Sequence, residues 1–281
     1  VWTSSPSWKR WIKVPATVPS KTRKYFLLKS LIRQNRILAL HGFTGRGSDF
    51  MPLQALCPRT GPWYCPDLPG HGPENQVDCH ADATIEYIDR VARENPDCRI
   101  LLGYSMGGRA ALLHALSRPD YWKAVILIGA NPGISDPLAR RNRQQEDAVL
   151  AERIHKDGVQ VFINHWQEHP LITTQENIDP EWRAAMQAAR KEHTAKGLAN
   201  SLRQFGQGSI PDLWPKLDEL KCPTQLITGA LDRKYTEIAE KMLLHLPEGS
   251  HSTLAAAGHM AHLEKAKAAA AVINDFIQKV A

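Results

Sequence analysis

Apolar residues in this chain fall into two alternating textures. Short runs occur at Ile37–Leu40, Trp63–Pro66, Ile100–Leu102 and Lys123–Gly129, and the sheet is read as resuming at Thr224–Thr228 and again near Ser252–Leu254. Such runs, without a polar residue at every second position, suit strands buried on both faces, as in a parallel sheet. Between them, apolar residues recur every three or four positions, which predicts amphipathic helices. Asp49–Leu56, Ala83–Asn95 (through Ile85, Ile88 and Val91), the stretch after Met106, Glu237–Leu246 and Glu264–Val280 read this way. Strands alternating with helices predict an α/β fold with a mostly parallel central sheet. Tyr25–Leu31 and Ile37–Leu40, separated by Arg33-Gln34-Asn35-Arg36, read as a hairpin opening that sheet.

From Ile134 to about Gln207 the strand-like runs stop. Charge-rich helical segments replace them at Pro137–Lys156, Val159–Gln167, Pro180–His193 and Gly197–Phe205. An all-helical block between two sheet strands predicts a lid over the site. The chain thus divides into a basic N-terminal arm with the first strand region (1–35), a core (36–133 and 208–281) and a helical lid (134–207).

Charge and composition narrow the picture. The net charge of +6 is uneven: nine of the 35 basic residues lie in 1–40, which contains no acid. The remaining 26 basic residues face 29 acidic ones, a net of −3, so a case for nucleic-acid binding fails. The arm carries Trp2, Trp8 and Trp11 but lacks the apolar centre of a secretory signal, and reads as a solvated extension packed by its tryptophans. No run is long enough to span a membrane, so no stable membrane insertion is expected. Five cysteines, an odd number without metal-ligand spacing, point to free thiols in a reducing, cytoplasmic setting and to no metal. Oligomeric state is left open.

The candidate chemistry centres on Gly103-Tyr104-Ser105-Met106-Gly107, between an apolar run and an Ala- and Leu-rich helix. Strand, sharp turn and helix would lift the Ser105 hydroxyl above the sheet, with glycines on both sides removing side-chain crowding. The Met106 amide at the helix start would face a developing oxyanion. A nucleophile or base of this kind needs a histidine and a carboxylate, in the order Ser, Asp, His on this architecture. Asp232 ends a strand region and His259 stands in the turn after the last strand. Asp232 could instead only cap the next helix; Asp212, Asp218 and His262 are the nearest rivals. Phe43, in the glycine-rich loop after Leu40, is the expected second oxyanion donor, and His41 and His71 are expected to pin loop backbone. Arg109 lies one helical turn beyond Ser105, on the same face. Arg140 and Arg143 share a face of the insertion and Arg190 ends another helix. Converging guanidiniums suit a small-molecule polycarboxylate substrate. The competing reading makes the lid arginines surface partners of Glu146 or Asp147, and is preferred for Arg140 and Arg141.

His-Gly-Phe-Thr-Gly, Pro-Asp-Leu-Pro-Gly-His-Gly, Gly-Tyr-Ser-Met-Gly-Gly-Arg and Gly-His-Met-Ala-His-Leu-Glu together resemble the α/β-hydrolase superfamily. More closely, residues 36–280 resemble its 2-succinyl-6-hydroxy-2,4-cyclohexadiene-1-carboxylate synthase (MenH-like) branch of menaquinone and phylloquinone biosynthesis. The features are Tyr104, Arg109 and Asn131-Pro132-Gly133 followed by spaced arginines; Met260, where asparagine commonly follows the histidine, departs from the pattern. The resemblance implies an α/β-hydrolase fold with a helical lid, and elimination of pyruvate without a cofactor by Ser105, Asp232 and His259. It implies that Arg109, Arg143 and Arg190 bind carboxylates, and that Tyr104, Trp166, Lys234 and Tyr235 line the pocket. The alternative is a carboxylic ester or thioester hydrolase with Ser105 as nucleophile.

Overall fold

The computed structural model describes residues 36–280. The arm, its three tryptophans and the Tyr25–Leu31 half of the expected hairpin lie outside the described residues. Five parallel strands form the sheet in the order β1 (Arg36–Leu40), β2 (Cys98–Tyr104), β3 (Ala124–Ile128), β4 (Thr224–Gly229) and β5 (Gly249–Leu254). Trp63–Pro66, expected to be a strand, makes only one bridge: Tyr64 lies beside Leu38, with hydrogen bonds of 2.9 Å to Ile37 O and from Ala39 N. Pro62 and Pro66 bracket it and supply no N–H, so the ladder cannot lengthen.

Alternation within each strand divides the core between the two faces. Leu38, Leu40, Leu101, Val125, Leu127 and Leu226 pack towards α2 (Ala81–Glu94), α3 (Met106–Ser117) and α7 (Arg233–Leu243). Ile37, Ala39, Ile100, Leu102, Ile126, Ile128 and Ile227 pack towards α1 (Met51–Ala55) and α8 (Ala266–Val280). Because both faces of β1 to β4 are covered, those strands read as largely apolar runs, whereas β5, at the edge of the sheet, is polar and partly exposed. The polar loops are left at the carboxyl ends of the strands, where ligands bind in open parallel sheets.

The insertion between β3 and β4 is helical: α4 (Pro137–Trp166), α5 (Pro180–Arg190) and α6 (Ala195–Phe205). Asp136, Asp179 and Thr194 cap the three helices with their side-chain oxygens. Ala151, Ile154, Phe162, Ile163, Leu198 and Leu202 give the insertion a small core of its own. Gly158 interrupts α4 at φ 81° and ψ 162°, between the two segments expected from the sequence. No helix of the described residues is long and apolar enough to cross a membrane.

Gly158 has no neighbour within 4 Å of an added Cβ, so only backbone strain opposes a side chain there. Gly158→Ala should lower unfolding stability by about 1 kcal/mol, with an unchanged denaturant slope. Urea denaturation measures this; an unchanged or higher midpoint would mean that the left-handed kink is not required.

Candidate active site

Ser105 adopts φ 51° and ψ −109°, a conformation that a residue with a Cβ rarely occupies. Its N–H donates to Ile128 O at 2.8 Å, which ties the turn to the last rung of the β2–β3 ladder. A Cβ on Gly107 would strike the Leu40 and His41 carbonyls, and one on Gly103 would strike Gly107. Close backbone approach, more than flexibility, therefore demands these glycines. Met106 begins α3, so its N–H has no intrahelical acceptor and points out of the helix start.

Asp232 meets both readings of its role. Oδ1 accepts from Tyr235 N at 3.3 Å and caps α7, while Oδ2 lies 2.6 Å from His259 Nδ1. On the far side of the ring, His259 Nε2 lies 2.9 Å from Ser105 Oγ. With Nδ1–H directed at the carboxylate, Nε2 is left to accept the serine proton. The rivals stand elsewhere. Asp212 accepts from Trp214 N, and Asp218 is exposed. His262 is fully buried between Tyr104 and Phe50, with both ring nitrogens unpartnered among the described residues, and burial lowers its pKa to about 3.

A cavity of about 960 Å³ opens over Ser105 between core and insertion. Phe43, Tyr104, Ser105, Met106, Arg109, Arg143, Trp166, Lys234, Tyr235 and His259 line it, so most of the residues singled out from the sequence converge. Arg109 is buried, donates to Phe205 O at 3.3 Å and leaves Nε without a partner among the described residues. Burial lowers its pKa to about 10, so it stays cationic at neutral pH. Arg143 pairs with Asp147 at 2.9 Å and donates to Gln207 Oε1 at 2.8 Å. The salt-bridge reading of Arg143 is thus correct as to partner, yet the pair forms part of the cavity wall. Trp166 stacks on Phe162 and His169 and leaves its indole N–H unpartnered among the described residues.

Arg190 is buried but is not among the cavity-lining residues. It reaches Met186 Sδ at 3.5 Å, and its charge acts on Asp49 and Tyr104. Helix-end position showed that it could point inward, but could not choose between cavity and core. Arg140 is neither a site residue nor a surface ion pair: it donates to Gly208 O and Ile210 O, at 3.2 and 2.7 Å.

Several contributors escaped the sequence reading. Gln207 joins Arg143 to the Tyr235 hydroxyl, to which its Nε2 donates at 2.6 Å. The Glu264 carboxylate accepts from the amides on both sides of His259, Gly258 N at 2.6 Å and Met260 N at 3.1 Å, and from Thr174 of the insertion at 3.0 Å. The only signal for Glu264 was its place in the Gly-His-Met-Ala-His-Leu-Glu stretch; Gln207 had none.

His41 and His71 pin loop backbone, as expected, and His193 joins them. His41 Nε2 accepts from Leu68 N at 2.8 Å, so Nδ1 carries the proton given to Gly42 O. His71 Nε2 accepts from Thr44 N at 3.2 Å, and Nδ1 faces Pro69 O at 3.1 Å. His193 Nδ1 accepts from Gly72 N at 3.1 Å, and Nε2 donates to Thr44 O at 3.0 Å. Each ring needs one bare nitrogen, so all three are neutral. Burial lowers the pKa of His41 and of His193 to about 4, and that of His71 well below the ordinary value.

Comparison with known proteins gives a consistent picture. Residues 37–272 match the model of the alpha/beta hydrolase family. A 2-succinyl-6-hydroxy-2,4-cyclohexadiene-1-carboxylate synthase from Photorhabdus laumondii is 32% identical over 85% of this chain and 84% of its own. One of the same name from Serratia proteamaculans is 29% identical over 86% and 92%. The structure of MenH from S. aureus superposes with a TM-score of 0.81 at 29% identity, covering 88% of this chain and 95% of that one.

The buried histidines set the acid stability. His41 and His193 (about 4) and His262 (about 3) lie below the unfolded value of 6.5, so the unfolded chain binds more protons as pH falls. Stability is therefore full above about pH 6.5 and lost as pH drops towards 4. Asp49, raised by burial to about 6, and Asp147, also raised by burial, oppose this, two carboxyls against several imidazoles. Thermal melts should shift steadily downward from pH 7 to pH 5; a flat melting temperature over that interval would contradict the neutral-histidine assignment.

Proposed function

The chain belongs to the alpha/beta hydrolase family and, within it, to the branch of 2-succinyl-6-hydroxy-2,4-cyclohexadiene-1-carboxylate synthases, and on that premise we propose that its serine acts as a base in eliminating pyruvate. The substrate is the succinyl-enolpyruvyl-hydroxycyclohexene-carboxylate precursor of menaquinone and phylloquinone biosynthesis. The observation that carries the reading is Arg109: a buried cation in the cavity floor, one turn from Ser105, with no carboxylate in salt-bridge contact among the described residues. A neutral ester has no use for it, whereas a tricarboxylate supplies its missing partner. Breaking such a buried charge pairing costs several kcal/mol, far more than a surface pair contributes.

The steps follow from the geometry. His259 Nε2, 2.9 Å from Ser105 Oγ, takes the hydroxyl proton, and Asp232 stabilises the imidazolium. The serine oxygen removes a substrate proton α to a carbonyl. The electron pair moves onto the carbonyl oxygen, where the Phe43 and Met106 amides would hold the charge. It then returns through the ring as the carbon–oxygen bond to the enolpyruvyl group breaks. The proton held on His259 balances the departing enolpyruvate, which becomes pyruvate. No acyl-enzyme forms. Arg109 and Arg143 would take substrate carboxylates, with Trp166, Tyr104, Lys234 and Tyr235 bounding the ring. Arg190 would act on the substrate only after leaving its place beside Met186. The five unpaired cysteines accord with a cytoplasmic setting.

A paired assay tests the reading: pyruvate release from the precursor against p-nitrophenyl acetate cleavage. Release should be fast, and abolished in Ser105→Ala, with negligible ester turnover. Arg109→Ala should lower kcat/KM for release by about 100-fold, the scale of losing a buried charged hydrogen-bond pairing. Residual ester cleavage should be unaffected. Serine-dependent ester cleavage without pyruvate would instead favour the hydrolase.

A further inference from the structure

Phe43, the proposed second oxyanion donor, sits between two residues whose peptide groups are held from several sides. A trans peptide points its C=O and N–H in opposite directions, so whatever holds Gly42 O aims Phe43 N–H. Gly42 O accepts from Gly45 N at 2.9 Å and from His41 Nδ1 at 2.8 Å. The Gly45 N–H belongs in turn to the peptide whose oxygen is Thr44 O. That oxygen accepts from His193 Nε2 at 3.0 Å. His193 is not a core residue: it lies in the helical insertion, one position before the Thr194 cap of α6.

We infer that His193 is a positioning residue for the Phe43 N–H, acting from the insertion through the Thr44–Gly45 and Gly42–Phe43 peptides. The inference rests on the reading of Phe43 as an oxyanion donor. The line runs from the His193 N–H to Thr44 O, from Gly45 N–H to Gly42 O, and from Phe43 N–H into the cavity. Amide dipoles joined head to tail polarise one another, so the terminal donor is both aimed and strengthened. The tautomer suits the task, since Gly72 N–H occupies Nδ1 and leaves the proton on Nε2.

The local backbone requires such support. Thr44 stands at φ 63°, a left-handed conformation that a β-branched residue avoids. It is held there from both sides, its N–H by His71 Nε2 and its C=O by His193 Nε2. Gly42 leaves no slack either: an added Cβ would lie 2.7 Å from the Tyr104 ring and 3.5 Å from Ser105 Cβ. The other side-chain hydrogen bond from this loop to the insertion, Arg46 to Glu192 at 3.3 Å, ends on a side chain 69% exposed and contributes little, while the Phe43 ring packs on Phe162 and Trp166. Seating of the insertion at residue 193 and alignment of the oxyanion donor are therefore one event.

Two substitutions separate this role from simple space filling. The amide of His193→Asn falls where Nδ1 stands, keeping the Gly72 contact and losing that to Thr44 O. The amide of His193→Gln reaches the Nε2 position and keeps the Thr44 contact. His193→Asn should lower kcat for pyruvate release by about 10-fold or more with KM within about twofold, the scale of a misplaced donor. His193→Gln should stay within about threefold of the unsubstituted protein. A second readout avoids the substrate: the rate at which a fluorophosphonate modifies Ser105, followed by intact mass, should fall in the Asn variant and hold in the Gln variant. Should His193→Asn not fold, His193→Ala, which also removes the donor, takes its place. Equal losses in both variants, or a change in KM alone, would overturn the inference. If the protein releases no pyruvate, the synthase reading falls, while the phosphonylation contrast still decides the role of His193.

Discussion

The site depends on one constraint, the left-handed backbone of Ser105. A non-glycine residue at φ 51° costs of order 1–3 kcal/mol and persists only where its surroundings over-determine it. Here they do. The preceding strand ends in a fixed register, with Tyr104 opposite Ile128, and the following helix starts so close to β1 that no side chain fits at Gly107. Strand and helix cannot separate without opening the core. The strain is therefore borne by the apolar packing on both faces of the sheet, and the hydroxyl is delivered to His259 without a flexible linker.

Two further groups converge because the same sheet carries them. Leu40 pairs with Gly103 in register, which places the loop after β1 against the elbow. Ile128 pairs with Ile227, and β4 then runs on towards Asp232. The carboxylate has two tasks with different demands. As a helix cap it needs one oxygen near Tyr235 N, and as the partner of His259 it needs the other within hydrogen-bond reach. Anchoring the first oxygen removes the rotational freedom of the second, so the capping role fixes the contact with His259. Glu264 does the same for the histidine by holding the amides on both sides of it.

How much of this could be read from the sequence follows from the range of each interaction. Strands buried on both faces declare themselves locally, and so do a glycine-flanked serine and the break between the helical segments Pro137–Lys156 and Val159–Gln167. The triad was legible because fixed topology turns chain order into spatial order. Trp63–Pro66 looked like a strand by hydrophobicity, but its prolines limit it to one bridge. Arg190 and Gln207 were not legible to the same degree. Spacing shows which residues share a helix face, but the contact a face makes is decided by how the insertion docks, and docking leaves no local periodicity. His193 illustrates the limit well: among twelve histidines, only its contacts with Thr44 and Gly72 set it apart.

Arginine burial explains why an insertion is useful on this fold. A charge within the core must be balanced or it destabilises the protein, and the buried Asp147, whose pKa burial raises, is balanced by the partly exposed Arg143. Arg109 is left with a backbone carbonyl and an unpartnered Nε. Supplying it with a built-in carboxylate would stabilise the empty protein but would compete with a carboxylate ligand. Covering it with a helical insertion shields the charge from water while keeping its hydrogen-bonding capacity directed at the cavity. The insertion that covers the cation also contributes His193 to the oxyanion loop and Thr174 to Glu264. Covering the cavity and holding the loops that carry Phe43 and His259 thus become consequences of a single docked surface.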